Sequence, residues 1–547
     1  MDCANMRNSF SSSIYNKGSK ITKKQILDMI PNKISEMHQN GDIHIHDLEA
    51  FGKTTNCCTP NLLEFLHKKV IKAKSSVGKI AEVFYQIKML ITNISNSQSG
   101  GIGFGNIDID LDNFFTEIGI EHNDINVDFL KEEINLFIDW LNNTRIRFCR
   151  EAYYVTVNLG LSTEQWGRTI TRLFINSYKN SPISFTKPNI VFKVSKEINS
   201  LPNTPNYDLY QEALKCTAKR MIPTYLLMDS SVNKSCPPKN LNIMGCRTRV
   251  YDNSCGLAGS IGRGNVSYVS INLPRIAITT NNMTEFYAKL KYVMEKCCEL
   301  MEFRNTALLS TNGEFMKYHL DENIWVDSHN LSDILKQGTY SIGFIGLSET
   351  IEKITNKKPY EDSKSYNLSL DIIKFMRKFV DDRRAEEHKN FSLLGTPGEI
   401  LSGRFCELDS KLYPQKFQEK GFYTNSFHVD VQSGISLFDK IKLEAPFHAL
   451  CNGGSITYIE FPSAILDNTE ALEDALLYAT TNGISYIGFN YPLDICNDCN
   501  TSGTFDYCEK CGSEDVKHIR RVSGYLEDTK YFTSGKAREI KVRKSNI

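Results

Sequence analysis

Residues 496–525 read Cys496-Asn-Asp-Cys499, an eight-residue spacer, Cys508-Glu-Lys-Cys511, and then Arg521-Val-Ser-Gly524-Tyr525. Two residues between paired cysteines let each pair turn around one ion. Four sulfurs in a tetrahedral array suit Zn²⁺ and leave no open position for catalysis. Cys496, Cys499, Cys508 and Cys511 are therefore expected to hold a structural zinc, with an iron–sulfur centre as the competing reading. Zinc knuckles also bind nucleic acid. This one offers few aromatics for stacking, Phe505 and Tyr507, and carries Asp494, Asp498 and Asp506, which repel phosphates. Gly524 taken alone reads as a turn glycine that needs positive φ.

Outward from this segment, the composition narrows the function classes. The chain has 547 residues, enough for a large core, and its 64 basic side chains balance 64 acidic ones. No global field draws it to nucleic acid or to a membrane surface. The sixteen cysteines are scattered, and no apolar run suits a signal peptide or a membrane span. Reduced cysteines in a cytoplasmic setting are expected. Basic residues crowd the end of the chain, at Lys517, His518, Arg520, Arg521, Lys536, Arg538, Lys541, Arg543 and Lys544, and read as solvated surface.

The periodicity is that of an α/β protein. Ile80, Val83, Phe84, Ile87, Leu90, Ile91 and Ile94 follow helical spacing, with a stop expected before Ser99-Gly100-Gly101. Leu290 to Phe303 reads similarly. Short β-rich runs begin at Ile190, Ile342, Ile456 and Ile484. Strands alternating with helices argue for α/β architecture. The expected division is an N-terminal arm at 1–20, a catalytic domain at 21–490, the zinc module at 491–515, and a glycine loop with tail at 516–547. Backbone nests for phosphate are conceivable at Ser97–Gly101 and Asn452–Ser455, though each reads first as a turn. Thr396-Pro-Gly-Glu399 looks like a capped helix start.

A zinc knuckle followed by RVSGY resembles the C-terminus of anaerobic (class III) ribonucleoside-triphosphate reductases, which are glycyl-radical enzymes. Gly41-Asp-Ile-His-Ile-His-Asp47-Leu with Asn56-Cys57, Asn242-Ile-Met-Gly-Cys246-Arg-Thr, Asn272-Leu-Pro-Arg275 and Cys451-Asn-Gly-Gly-Ser-Ile-Thr457 occur in the family's order. The resemblance implies a ten-stranded α/β barrel in which loops carrying Cys246 and Gly524 meet at the centre. It makes Gly524 the radical store, since a residue without Cβ lets the radical spread onto both flanking peptides. It makes Cys246 the thiyl that takes the ribose 3′-hydrogen, and Cys57, rather than its neighbour Cys58, the second thiol. Met244 matches members that use formate as reductant, and Asn272 matches a residue that orients substrate. Ribonucleoside triphosphates, nucleotide effectors, a radical S-adenosylmethionine activating enzyme and a homodimer are implied, with no room before residue 41 for the family's ATP-cone. Two rivals stand beside this reading. One is an acyltransferase of the pyruvate formate-lyase type using the adjacent Cys297 and Cys298; the other is a zinc-bearing nucleic-acid-binding protein.

Overall fold

The computed structural model describes residues 10–145, 153–181, 185–326, 328–466, 468–521 and 523–547. Ten strands follow one another around its main sheet. In chain order they are β1 (Cys57–Thr59), β2 (Ile102–Phe104), β3 (Val155–Leu159), β4 (Asn189–Val194), β5 (Thr224–Leu227), β6 (Arg263–Asn272), β7 (Thr339–Ile345), β8 (Asn390–Leu394), β9 (Thr457–Glu460) and β10 (Tyr486–Asn490). β1 to β5 are mutually parallel. So are β6, β7 and β8, and likewise β9 with β10. The two halves meet antiparallel where β1 pairs with β6 and where β5 pairs with β10.

A parallel bridge between Leu394 and Gly454 joins the remaining edges and closes the sheet on itself. Gly395 N–H donates to the Gly454 carbonyl at 2.9 Å, and Gly453 N–H to that of Leu393 at 2.8 Å. Asn452 Oδ1 accepts from Leu393 N–H at 3.0 Å. The Asn452–Ser455 turn thus spends the Gly453 N–H on the seam and the Gly454 N–H on the Cys451 carbonyl at 3.0 Å, instead of on a phosphate. A short strand, Ile43–Ile45, pairs antiparallel with β6 as an eleventh member.

Every residue of β4 and of β7 is buried, as expected for parallel strands covered on both faces. The helix Ser76–Ser97 buries the predicted stripe from Ile80 to Ile94, and Ser75 caps it by accepting from Gly78 N–H. Leu290 to Phe303 lies within Met283–Leu309, capped by Asn282.

Three expectations change. The supposed arm is helical from Phe10, within a helix Phe10–Met29, while residues 1–9 fall outside the described part. Its buried stripe is Ser12, Ser19 and Ile26, spaced two turns apart, so small polar residues carry the packing face and apolar periodicity is silent. The basic tail is only partly solvated surface: Arg538, Lys541 and Lys544 are exposed, whereas Arg521 and Lys536 are buried. Its helix Ser534–Val542 packs Gly535 on Gly403, where an added methyl would meet Gly403 Cα at 2.7 Å. Lys536 and Arg543 both pair with the buried Glu539 at 2.6 and 2.7 Å. Past the helix, Asn546 exchanges hydrogen bonds with the Glu460 backbone at 2.7 and 3.0 Å, and its own carbonyl accepts from Leu437 N–H at 2.7 Å. Third, no helix begins at Thr396. The helix there is Leu401–Leu412, and Thr396 instead shares a hydrogen bond with Ser270 at 2.9 Å.

The C-terminal sheet runs Ser502–Gly503, Leu493–Cys496, Val516–Arg521, Leu526–Asp528, antiparallel throughout. It crosses the expected boundary at 515/516. The glycine loop is therefore the turn of a hairpin whose other strands carry the cysteine knuckle.

Candidate active site

One mouth of the barrel opens into a cavity of about 910 Å³, its open entrance included. Its walls include Asn56, Cys57, Lys187, Cys246, Glu399 and Tyr525. Successive residues of a strand face opposite sides, and β1 shows the consequence. Cys57 faces the cavity, whereas Cys58 is fully buried among the core side chains. Burial and the neighbouring Cys57 push the Cys58 thiol well above its usual value.

Cys57 is closely held. Its thiol donates to Asn56 Oδ1 at 2.8 Å, Asn56 Nδ2 donates to Asp47 Oδ2 at 2.9 Å, and Gly101 N–H donates to the sulfur at 3.2 Å. A methyl on Gly100 would lie 2.5 Å from that sulfur, so glycine is required there by close approach. Gly100 N–H is itself bonded to the Asn56 carbonyl at 2.7 Å. The turn Ser97–Gly101 thus serves Cys57 and leaves no nest for phosphate.

Cys246 sits at the tip of a hairpin, Ile243–Met244 against Thr248–Arg249, that projects inside the barrel. Gly245 takes φ +59°, a turn conformation that glycine reaches without strain. β3 props the hairpin: Thr156 Oγ1 donates to the Gly245 carbonyl at 2.7 Å, and Asn158 bonds both backbone groups of Ile243 at 2.8 and 3.0 Å. Burial pushes the Cys246 thiol up to about 11; the Arg247 guanidinium opposes the shift and the Glu399 carboxylate adds to it. The group is therefore a protonated thiol at neutral pH and not a thiolate nucleophile.

Gly524 lies directly on this cysteine. A methyl on Gly524 would fall 2.1 Å from Cys246 Cβ and 2.7 Å from its Cα. Its φ lies outside the left-handed range, so the absence of a side chain answers crowding and not backbone conformation. The loop is pinned from several directions. Tyr525 OH donates to Glu399 Oε2 at 2.8 Å, and its ring packs edge-on against Tyr154 at 5.5 Å. Tyr458 OH donates to the Ser523 carbonyl at 2.8 Å, and Arg247 donates to the same oxygen. Lys187 approaches Glu527 at 3.6 Å, both buried.

The sequence missed Glu399, Tyr458, Arg247 and Lys187. Arg247 directly follows Cys246, and Glu399 stands three residues after Thr396, a spacing that reads as a helix start.

Two expected site residues sit elsewhere. Asn272 does not line the cavity. Its Oδ1 caps the helix Leu273–Ile278 by accepting from Arg275 N–H at 3.2 Å, and its Nδ2 donates to the Gly41 carbonyl and to Asp409 at 2.9–3.1 Å. With every polar atom spent on this network, it is not disposed to orient a substrate. Met244 packs behind the cavity wall in a small cluster with Cys57 and Val250, and Thr59 Oγ1 lies 3.7 Å from its sulfur. Cys297 and Cys298, the pair on which the acyltransferase reading rests, are buried in the helix Met283–Leu309 and are absent from the cavity wall.

At the knuckle, the sulfurs of Cys496, Cys499, Cys508 and Cys511 all lie within 4.8 Å of one another. Cys496 and Cys511 approach to 3.5 Å, as do Cys499 and Cys508. That crowding of four soft donors fits a tetrahedral Zn²⁺.

A family model described as anaerobic ribonucleoside-triphosphate reductase matches residues 2–545. The anaerobic ribonucleoside-triphosphate reductase of Escherichia coli (strain K12) is 30% identical over 582 residues, covering 95% of this chain and 79% of its own length. That of Enterobacteria phage T4 is 28% identical and covers 95% of this chain and 92% of its own. Among solved structures, the Thermotoga maritima anaerobic ribonucleotide reductase in complex with dATP and CTP gives a TM-score of 0.75 at 16% identity. It covers 98% of this chain and 92% of that one, a likeness of fold. With the family model running along nearly its whole length, this chain belongs to the anaerobic ribonucleoside-triphosphate reductases and is an oxidoreductase.

Proposed function

We propose that the enzyme converts ribonucleoside triphosphates to 2′-deoxyribonucleoside triphosphates by passing a radical from Gly524 to Cys246. The observation that carries this reading is the contact of Gly524 with Cys246, which leaves no space for a methyl between them. A hydrogen atom moves from the Cys246 sulfur to the Gly524 carbon, and the thiyl then takes the ribose 3′-hydrogen. Cys57, held by Asn56 and Gly101, supplies hydrogen as the 2′-hydroxyl departs as water. Formate is the proposed reductant, on the resemblance around Met244. The overall balance is one ribonucleotide and formic acid giving one deoxyribonucleotide, carbon dioxide and water. Cys496, Cys499, Cys508 and Cys511 would hold a zinc that stiffens the sheet bearing the glycine hairpin, a structural role without an open coordination site.

A separate radical S-adenosylmethionine activating enzyme installs the radical in this scheme, and the enzyme works as a homodimer. The Thermotoga maritima enzyme has been solved with dATP bound in the specificity site, which supports nucleotide effectors here. Among the described residues no helix is long and apolar enough to cross a membrane, in keeping with a cytoplasmic location.

The test is anaerobic activation followed by electron paramagnetic resonance and then exposure to air. A doublet from a carbon radical and chain scission at Gly524 are expected. An activated sample without that signal, or one cut elsewhere, overturns the reading.

A further inference from the structure

Two guanidinium groups close around Gly524, and among the described residues neither forms an ion pair with a carboxylate. Arg247 is 0% exposed and Arg521 is 2% exposed. A buried charge outside an ion pair is costly, and hydrogen bonds to its N–H groups offset part of that cost. Arg247 donates to the Ser523 carbonyl. Arg521 donates to the Gly524 carbonyl at 3.3 Å, to Asn490 Oδ1 at 2.7 Å and to the Met221 carbonyl. The Tyr458 ring neighbours both cations, 5.8 Å from one and 5.7 Å from the other, and its hydroxyl also donates to the Ser523 carbonyl. These oxygens belong to the two peptide groups that flank the Gly524 α-carbon.

The two sides act in opposite senses. Loss of a hydrogen atom from the α-carbon leaves an electron conjugated with the amide nitrogen on one side and the carbonyl on the other. The nitrogen pushes density through the α-carbon onto the Gly524 oxygen, so a cation there stabilises the radical. The same push draws density from the Ser523 oxygen, so donors on that oxygen favour the unoxidised glycine. We infer that Arg521, opposed by Arg247 and Tyr458, forms a clamp that sets how strongly the radical prefers Gly524 over Cys246. The inference rests on the radical role proposed above. In the step it governs, the Cys246 S–H bond breaks and a Gly524 C–H bond forms; proton and electron travel together and no outside oxidant is needed.

The exchange of the Gly524 α-hydrogen reads this balance directly. In D₂O the Cys246 thiol takes up deuterium, and each visit of the radical to sulfur returns deuterium to Gly524. The doublet then collapses to a singlet at a rate set by the transfer. Arg521→Met should collapse about tenfold faster, the scale of one charge-assisted hydrogen bond that differs between the two states. Tyr458→Phe should collapse about threefold slower, and Arg521→Lys should lie between wild type and Arg521→Met. A merely structural role predicts the reverse for Arg521, since a loosened loop draws Gly524 away from Cys246. Slower or unchanged collapse in Arg521→Met, or faster or unchanged collapse in Tyr458→Phe, overturns the clamp. If Arg521→Met takes up no radical, the sign in Tyr458→Phe decides. A wild-type enzyme with no doublet sinks the radical assignment as well, whereas a wild-type doublet with wrong-signed variants sinks only the clamp.

Discussion

Four cysteines crowd within 4.8 Å of one another in the C-terminal sheet, while Cys57 and Cys246 face a shared cavity inside the barrel. A metal needs thiolates, and the knuckle delivers several sulfurs to one point, where a cation offsets their mutual repulsion. Hydrogen-atom chemistry needs S–H bonds, and the barrel surrounds Cys246 with enough protein to hold its thiol at about 11. A bound metal would thus put the same side chain to a protonation state opposite to that of the barrel thiol. The two regions are also joined, since the strand Val516–Arg521 pairs with Leu493–Cys496 on one edge and enters the Gly524 turn at its end.

The hardest blow to this contrast is Cys246→Ser. An O–H bond is too strong to share its hydrogen with a glycyl carbon, so turnover should fall by at least about ten-thousandfold. The glycyl doublet should survive in the same sample, because activation acts on Gly524. Retained turnover would remove Cys246 from the chemistry. Next in size is the knuckle: chelation of zinc, or Cys508→Ser, should lower radical yield by about tenfold to a hundredfold. Limited proteolysis should then cut within residues 491–528 and spare the barrel. Equal radical yield with and without metal would uncouple the two regions.

The raised thiol makes a pH prediction with a definite sign. Because folding lifts the Cys246 value, the native state keeps a proton that the unfolded chain releases, so the group costs stability as pH rises past about 8.5–9. The loss grows until the pH reaches about 11 and is constant above that. Cys246→Ala should therefore flatten the alkaline decline in urea midpoint, and an unchanged slope would sink the assignment. Alkylation of Cys246 should likewise lag that of a free thiol by about two pH units. The smallest effect belongs to Asn272→Ala, which should cost about 1–2 kcal/mol in urea denaturation with the KM for nucleotide unchanged. A shifted KM would return Asn272 to the substrate.

How much of this was legible follows from which interactions are local. The helix around Ile80 and the strands near Ile190 and Ile342 announce themselves through spacing, because burial on a helix or strand repeats along the chain. The knuckle is readable for the same reason, with its ligands close in sequence. The α/β class followed from alternating elements, but barrel closure depended on a single bridge between Leu394 and Gly454, which leaves no periodic trace. Gly524 could be picked out by resemblance, yet its reason for being glycine, contact with a residue far away in sequence, lay beyond any local pattern. Asn272 was singled out by resemblance, whereas the sequence alone does not show that its side chain caps the helix Leu273–Ile278 and bonds Asp409, a residue far away in the chain.

The fastening of Asn546 has a further mechanical consequence. Pairing of Ile519–Arg521 with Leu526–Asp528 holds the chain on both sides of the Gly524 turn, and the docked helix with Asn546 fastens it again after Thr533. Gly524 is therefore fastened twice over. The proposed activating partner, to draw it outward, would have to loosen these fastenings, and the two are unlike: one is a β-ladder continuous with the four-cysteine knuckle, the other a glycine-to-glycine helix contact ended by one asparagine.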